Sequence, residues 1–156
     1  MGLRKILTVD EPALHKTCKP VTEFDAKLHK LLDDMRDTLL DSGGVGLAAP
    51  QVGIVRRVVL VDTGDEILEL VNPTLVETSG EQVGAEGCLS VPNKYGLVKR
   101  PYYAKIRAQD RFGNWYEAEG EELTARCFCH ELDHLDGILY TQVMDRLLTE
   151  EELERD

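Results

Sequence analysis

The segment CFCHELDHLDG at residues 127–137 contains the pattern HExxH, which is typical of a metal site. On a helix with about 100° between successive residues, His130 and His134 lie on one face and can hold a single ion. Glu131 lies beside them and can reach a water molecule next to that ion without being a ligand. The alternative is an ordinary amphipathic helix whose histidines are surface or core side chains. A catalytic centre also needs a third protein ligand and an open position for water.

The third ligand must come from elsewhere in the chain, because no histidine follows His134. Two stretches compete for this role. One is EGCLS at residues 86–90, a predicted loop in which a glycine beside Cys88 allows the backbone to approach a ligand closely. The other is GGVGLAAPQ at residues 43–51, whose glycines resemble a phosphate-binding loop. This stretch follows a predicted helix and precedes a predicted strand, the reverse of the order that directs a helix N-terminus at phosphate, so a phosphate site is disfavoured.

The cysteines narrow the choice of ligand. No two of the four form a CxxC pair, which favours reduced thiols in a cytoplasmic protein. Cys127 and Cys129 stand two residues apart on the predicted helix, about 200° around its axis, and cannot both face one ion. Cys88 is therefore the cysteine most free to bind a metal.

Composition excludes several classes of function. The 156 residues include 29 Asp and Glu against 18 Lys and Arg, with no basic block that could neutralise several phosphates. Direct nucleic-acid binding is therefore disfavoured. No segment approaches about 18 continuous apolar residues, so we expect no membrane span and a cytoplasmic location. A chain of this length is expected to fold as one domain without a structural metal.

The first strong periodic pattern predicts a helix over residues 23–42, with Thr22 as its N-cap and Ser42-Gly43-Gly44 at its end. Its apolar residues recur every three or four positions and should form one buried stripe. These residues are Phe24, Leu28, Leu31, Leu32, Met35 and Leu39.

The middle of the chain predicts antiparallel strands, and the helical pattern returns from Gly120. The predicted strands are residues 55–62, 67–71, 97–100, 104–110 and 115–118. The second helix should carry HExxH, with Glu121 and Glu122 in its first turn and Gly137 just past its end. We therefore predict an α+β fold, with antiparallel sheets around this central helix. Residues 1–148 should form a single catalytic domain, followed by an acidic tail at residues 149–156.

Three stretches together resemble a known family. GVGLAAPQ, EGCLS and HELDH, in this order and at these separations, are similar to the three motifs of the peptide deformylases. These are metallohydrolases that remove the formyl group from the N-terminal methionine of new bacterial proteins and release formate. The resemblance extends over nearly the whole chain, and it is the joint occurrence of the motifs that makes it specific.

The resemblance implies a role for each motif residue. The implied metal ligands are Cys88, His130 and His134, which leave one tetrahedral position for water. Glu131 matches the general base that takes a proton from that water and gives it to the leaving amine. The side chain of Gln51 and the backbone N–H of Leu89 match the groups that stabilise the negative oxygen of the tetrahedral intermediate.

The resemblance also implies how the substrate binds. Gly46 matches a position where the formyl end approaches the backbone closely. An apolar slot for methionine is implied at Val45, Leu123, Cys127 and the stem of Arg126, although these residues could equally be core. Tyr95 is a further candidate for contact with the nascent chain, since it stands where some relatives carry an arginine that faces the substrate backbone.

Further implications concern the residues around the site. Glu86 and Arg100 match a pair that is structural in the family. Asp133 could support a histidine ligand or pair with a surface cation. Cys129 stands where many members have glutamine, and we expect it to pack against the domain rather than join the ligands.

One divalent metal ion is implied as cofactor. The ligand types favour Zn²⁺, whereas the resemblance implies Fe²⁺ in the cell, with Ni²⁺, Co²⁺ or Zn²⁺ as replacements.

The implied partners are N-formylmethionyl nascent polypeptides. The short acidic C-terminus lacks the basic helix through which some members dock on ribosomes, so ribosome association by that route is not supported. Two rivals remain: an HExxH endopeptidase with a His or Glu third ligand, and a silent member that binds without turnover.

Overall fold

The computed structural model describes residues 2–154 and has an α+β fold, as predicted. Its strands are β1 Gly46–Ala48, β2 Val58–Asp62, β3 Ile67–Ser79, β4 Gln82–Cys88, β5 Val91–Arg100, β6 Tyr103–Gln109, β7 Trp115–Glu121 and β8 Arg146–Leu147. They form a five-stranded sheet in the order β1-β2-β3-β6-β7 and a three-stranded sheet in the order β4-β5-β8. All these pairings are antiparallel. The last residues of the predicted acidic tail, 155–156, lie outside the described part.

The helices are α1 Ala26–Ser42, α2 Leu123–Leu135, α3 Tyr140–Val143 and α4 Glu150–Glu154, with short 3-10 turns at Pro12–His15 and Ala49–Val52. None of the helices within residues 2–154 has the length and apolar character needed to cross a membrane.

The start of α1 differs from the prediction. The N-cap is Asp25, not Thr22, and its carboxylate accepts a hydrogen bond from the backbone N–H of Leu28 at 3.1 Å. The carboxylate satisfies an N–H group that the first helical turn leaves free, so the helix begins three residues later than expected. Phe24 consequently lies before the helix. The end is as predicted, with Gly43 in the left-handed conformation (φ 72°).

The helix that carries HExxH begins at Leu123, later than the pattern predicted. Glu121 is not in its first turn, because this residue ends β7 and pairs with Tyr103. Glu122 is the residue before the helix, and its N–H donates to the carbonyl of Tyr102. Gly137 does follow the helix end in the left-handed conformation (φ 76°), as predicted.

Three strands were not predicted: β1, β4 and β8. The sequence of β4, QVGAEGC, is rich in small residues and has little intrinsic preference for a strand. It becomes one by pairing with β5 from Gln82 opposite Arg100 to Cys88 opposite Val91. Cys88 therefore ends a strand, where a loop was expected.

The five-stranded sheet separates two apolar clusters. In β2, Val59 and Val61 face a core that contains Phe128 of α2, whereas Val58 and Leu60 face the stripe of α1. This alternation follows from the two-residue period of a strand. The predicted stripe of α1 is buried from Leu28 to Leu39, and Phe24 packs against it partly buried. Helix α2 thus lies inside the molecule, with its other side toward β4 and β5.

Candidate metal centre

Cys88 at the end of β4 meets His130 and His134 of α2 at one point. A ligand atom from each of the three residues lies within 4.8 Å of the other two. The Sγ atom of Cys88 is 3.4 Å from Nε2 of His134, and the two imidazole centroids are 5.0 Å apart. Both histidines are buried. The fold therefore brings together the three residues that the sequence singled out as ligands.

A carboxylate fixes the orientation of His130. Its Nδ1–H donates to Oε1 of Glu86 at 2.8 Å, which leaves Nε2 directed at the centre. A carboxylate on the second nitrogen is the usual partner of a metal-binding histidine. Glu86 also forms the expected pair with Arg100, through Nε at 2.8 Å and Nη2 at 2.9 Å. Glu86 is therefore more than the structural partner of Arg100.

Asp133 does not support His130 directly. Its carboxylate accepts a hydrogen bond from Nη1 of Arg100 at 2.7 Å, and Arg100 is buried. Asp133 is consequently linked to the histidine only through Arg100 and Glu86. Asp133 lies only three residues after His130 on α2, but its carboxylate is bonded to Arg100, and the carboxylate of Glu86 from the facing strand bonds the imidazole instead.

The surroundings shift the pKa values of the two imidazoles in opposite directions. Burial opposes the charged form of His130, but hydrogen bonds to Cys88 and Glu86 outweigh it and raise the pKa of this imidazole to about 10. Burial holds the pKa of His134 well below its ordinary value, so its imidazole is neutral and has a lone pair to donate. When an ion displaces the Nε2 proton of His130 and the thiol proton of Cys88, these three side chains form a donor set that fits a divalent ion.

Glu131 lies next to this donor set in an enclosed position. Its side chain is buried, and Oε1 has no hydrogen-bond partner among the described residues. Burial raises the pKa of its carboxyl group to about 7. Oε2 lies against Gly46, where a Cβ atom would be only 2.6 Å from it. A side chain at position 46 would thus collide with Glu131, which gives a physical reason for glycine there.

Gln51 stands on the other side of Cys88. Its Oε1 accepts a hydrogen bond from the N–H of Ala48 at 2.9 Å, and its Nε2 donates to Oγ of Ser90 at 3.1 Å and lies 3.6 Å from Sγ of Cys88. The side chain is almost fully buried and its amide is held at both ends. Leu89 follows Cys88 directly and packs toward the α1 cluster.

A cavity of about 530 Å³ opens beside the centre and contains the remaining predicted residues. The predicted substrate residues that line it are Val45, Gly46, Tyr95, Leu123 and Cys127. Leu123 and Val45 remain 59% and 44% exposed, so they are not core. The ring of Tyr95 lies over Gly87, where a Cβ atom would be 2.6 Å from Cε1. Cys129, as expected, packs into the core below the large sheet.

Comparison with known proteins agrees with this geometry. A family model described as polypeptide deformylase matches residues 3–150. The chain belongs to the polypeptide deformylase family. The peptide deformylase of Caldicellulosiruptor bescii is 51% identical over 155 residues, which cover 99% of this chain and 93% of that relative. That of Agathobacter rectalis is 52% identical over 148 residues, which cover 95% and 94%.

Solved deformylase structures have the same fold. The crystal structure of peptide deformylase from Thermotoga maritima has a TM-score of 0.89 and 38% identity, covering 92% of this chain and 98% of that one. An actinonin-bound structure of the class I type b enzyme from Acinetobacter baumannii has a TM-score of 0.86 and 35% identity, covering 92% and 99%. This chain is accordingly a metal-dependent hydrolase that removes the N-terminal formyl group from newly synthesised polypeptides.

Three features of this deformylase site were not anticipated. Ser90 holds the amide of Gln51, Glu86 holds His130, and the ring of Tyr140 stacks on His130 with centroids 6.2 Å apart. Ser90 and Glu86 flank Cys88 within EGCLS. This position was the only signal for Ser90, whereas Glu86 had been matched to Arg100 and not to His130. Tyr140 follows the helix end by several residues and has no such signal.

Proposed function

We propose that Cys88, His130 and His134 hold one divalent metal ion, and that Glu131 acts as general base in the deformylation of formyl-methionine chains. The observation that carries this proposal is the meeting of three ligand atoms within 4.8 Å beside a buried carboxylate with an unpaired oxygen. Such an oxygen is expected to have a partner during function, because an unsatisfied buried polar atom is costly.

The metal contributes one element of the chemistry. When bound, a divalent ion supplies Lewis acidity, which polarises the formyl carbonyl and makes a water molecule easier to deprotonate. We propose Fe²⁺ in the cell, as the resemblance to the deformylases implies, with Zn²⁺, Ni²⁺ or Co²⁺ as replacements, because a thiolate with two imidazoles can also bind those ions.

Glu131 moves the proton. Its carboxylate takes one proton from the water that attacks the formyl carbon and gives it to the nitrogen of methionine as the C–N bond breaks. The water oxygen stays on carbon, so the products are formate and a free amine. The enclosed position of Glu131 supports this role, because the proton is then not lost to bulk solvent.

Gln51 and the backbone N–H of Leu89 stabilise the negative charge that develops on the formyl oxygen. Gln51 is held through Ala48 and Ser90, so its Nε2 is preorganised beside Cys88 and no reorientation is needed during reaction. Removal of one donor of this kind typically lowers kcat by about 10²–10³.

The substrate is a nascent polypeptide with an N-terminal formyl-methionine. Gly46 leaves room for the formyl end, while Val45, Leu123 and Cys127 form the slot for the methionine side chain and Tyr95 contacts the residues that follow. We place the reaction in the cytoplasm, where such chains are made, without direct nucleic-acid binding and without ribosome docking through the acidic C-terminus. Residues 1–148 are the proposed catalytic domain.

The direct test is formate release from formyl-Met-Ala-Ser, with acetyl-Met-Ala-Ser as the matched control. The protein is purified and loaded with Fe²⁺ or Ni²⁺ under anaerobic conditions, because Cys88 beside a ferrous ion is open to oxidation. We expect formate from the formyl peptide alone. Absence of formate from protein with stoichiometric metal would contradict the proposal.

A second measurement tests the ligand set. Cys88→Ser should lower the metal-to-protein ratio after dialysis, whereas Cys129→Ala should leave it unchanged, because the Cys129 thiol packs into the core. Equal metal content in wild type and Cys88→Ser would remove Cys88 from the ligands.

A further inference from the structure

Arg126 lines the substrate cavity but is only 6% exposed. It precedes His130 by about one turn of α2, on the side that faces β4 and β5. Its Nη1 donates to Oε2 of Glu86 at 2.7 Å and to the carbonyl of Val98 at 3.1 Å. A buried guanidinium is costly unless its donors are satisfied, so this arrangement calls for an explanation beyond an apolar slot wall.

Glu86 is the point at which Arg126 meets the metal centre. Each oxygen of this carboxylate accepts two hydrogen bonds. Oε1 accepts from Nδ1 of His130 and Nη2 of Arg100, and Oε2 accepts from Nε of Arg100 and Nη1 of Arg126. Without Arg126, Oε2 would lose one of its two donors, and the position of the carboxylate against His130 would depend on Arg100 alone.

The surroundings of Arg126 are shaped for a planar head group. A Cβ atom on Gly84 would lie 3.0 Å from Nη2 and 3.4 Å from Cζ of Arg126, so the glycine provides the space that the guanidinium fills. The carbonyl of Val98 lies in the adjacent strand and takes a second bond from the same nitrogen. A lysine ammonium is a compact point charge and cannot reproduce this flat contact.

We propose that Arg126 is a positioning residue, whose guanidinium locks the Glu86 carboxylate and thereby the orientation of the metal ligand His130. This role rests on the proposed metal centre. In this proposal the guanidinium of Arg126 supports the metal centre, and only the aliphatic stem of Arg126 faces the methionine slot.

The decisive variant is Arg126→Met, which keeps the stem and removes the donors. Since loss of a group that orients a metal ligand typically costs about 10–100-fold in metal affinity, and Arg126 acts one bond further out, we expect about tenfold faster loss of metal to a chelator. kcat should fall, while KM for a formyl-Met peptide should stay within about twofold because the slot wall remains. Arg107→Met is the matched control. It removes the same charge from the outer face of the sheet, where Arg107 stacks on Trp115.

A spectroscopic readout separates positioning from a general loss of stability. In ¹⁵N-histidine-labelled, Zn²⁺-loaded protein, the Nδ1–H proton of His130 should give a downfield, slowly exchanging signal, assigned by its loss in His130→Asn. In folded Arg126→Met, this signal should move upfield and exchange faster, and in Arg107→Met it should not change. An unchanged signal together with wild-type metal retention in Arg126→Met would overturn the proposal.

Arg126→Lys keeps the charge and serves as the second variant if Arg126→Met does not fold. We expect an intermediate shift of the His130 signal, whereas full wild-type behaviour would mean that charge alone matters and would overturn the positioning role. The rate of metal loss and the His130 signal can both be measured without turnover. A wild-type protein that releases no formate would therefore contradict the proposed function and leave this test intact. If His130→Asn retains metal as wild type does, the metal centre itself is wrong, and the role assigned to Arg126 falls with it.

Discussion

The two long helices of this fold use burial in opposite ways. Helix α1 buries seven of its seventeen residues, and five of these form the apolar stripe against the large sheet. Helix α2 buries nine of thirteen, and four of them are Arg126, His130, Glu131 and His134. The first helix gains its stability from apolar area, whereas the second carries polar groups into the interior, where each needs a specific partner.

The buried polar groups of the two helices differ in how fully they are hydrogen-bonded. In α1, the hydroxyl of Thr38 donates to the carbonyl of Asp34, and the Asp34 carboxylate pairs with Arg4. In α2, Arg126 and His130 find their partners on β4 and β5, and Glu131 keeps one oxygen unpaired within the described residues. An unsatisfied atom at a centre of catalysis is typical of a group that must bind something else.

The contrast predicts that Glu131→Gln abolishes activity without loss of the fold. Gln keeps the shape of Glu131 but cannot take a proton, so kcat for formate release should fall by about 10²–10⁴. Metal content and the melting temperature should stay near those of wild type. The control is Glu119→Gln, an exposed residue of the edge strand β7. Turnover close to wild type would exclude Glu131 as the base.

A substitution in the α1 stripe should do the reverse. Leu32 is fully buried, and Leu32→Ala should lower the free energy of unfolding by about 2–5 kcal/mol, measured by urea denaturation. Formate release per folded molecule should be unchanged. Leu40 on the same helix is 60% exposed, and Leu40→Ala should cost less than about 0.5 kcal/mol. A loss of specific activity in Leu32→Ala would show that the two helices are not independent.

The sequence was informative where a property is local. The stripe of α1 and the shared face of His130 and His134 follow from helical periodicity, and the end at Gly43 follows from the preference for glycine after a helix; the structure has each of them. Strand β4 could not be found in this way, because its small residues have little strand preference and its pairing with β5 supplies the structure.

The site was predictable only in part, for the same physical reason. The cysteine positions made Cys88 a candidate, but only resemblance to a family assigned it as a ligand, since no periodic pattern connects the end of β4 with a helix that follows much later in the chain. The bond from His130 to Glu86 and the bond from Arg126 to Glu86 depend on how the hairpin of β4 and β5 packs on α2. Such contacts between distant segments have no trace in local spacing.

A smaller effect on stability is expected from Asp34, an acidic residue of α1. Burial alone would raise the pKa of Asp34, but hydrogen bonds from Arg4 and Lys30 outweigh it and hold the pKa below its ordinary value. The folded state thus favours the carboxylate. Its stabilisation is complete above the unfolded pKa of about 3.9 and is lost as the pH falls through the lower folded value.

Asp34→Asn should therefore cost roughly 0.5–1 kcal/mol at neutral pH, and the difference from wild type should shrink below about pH 4. Urea denaturation at several pH values measures this, with Asp41→Asn, exposed on the same helix, as the control. A difference that grows on acidification would mean that the ion pairs with Arg4 and Lys30 do not stabilise the helix.

The smallest effect should come from removing residues 149–156. Thr149 and Glu152 cap the short helix α4 reciprocally, with N···O distances of 3.0 and 3.2 Å, and Glu152 pairs with Arg146 at the surface. Surface ion pairs contribute about 0–1 kcal/mol, and the pairing of β8 with β5 does not depend on them. A chain that ends at Leu148 should keep wild-type kcat/KM and lose at most about 1 kcal/mol of stability. A larger loss would place the acidic segment inside the catalytic domain, because only contacts with that domain could then account for it.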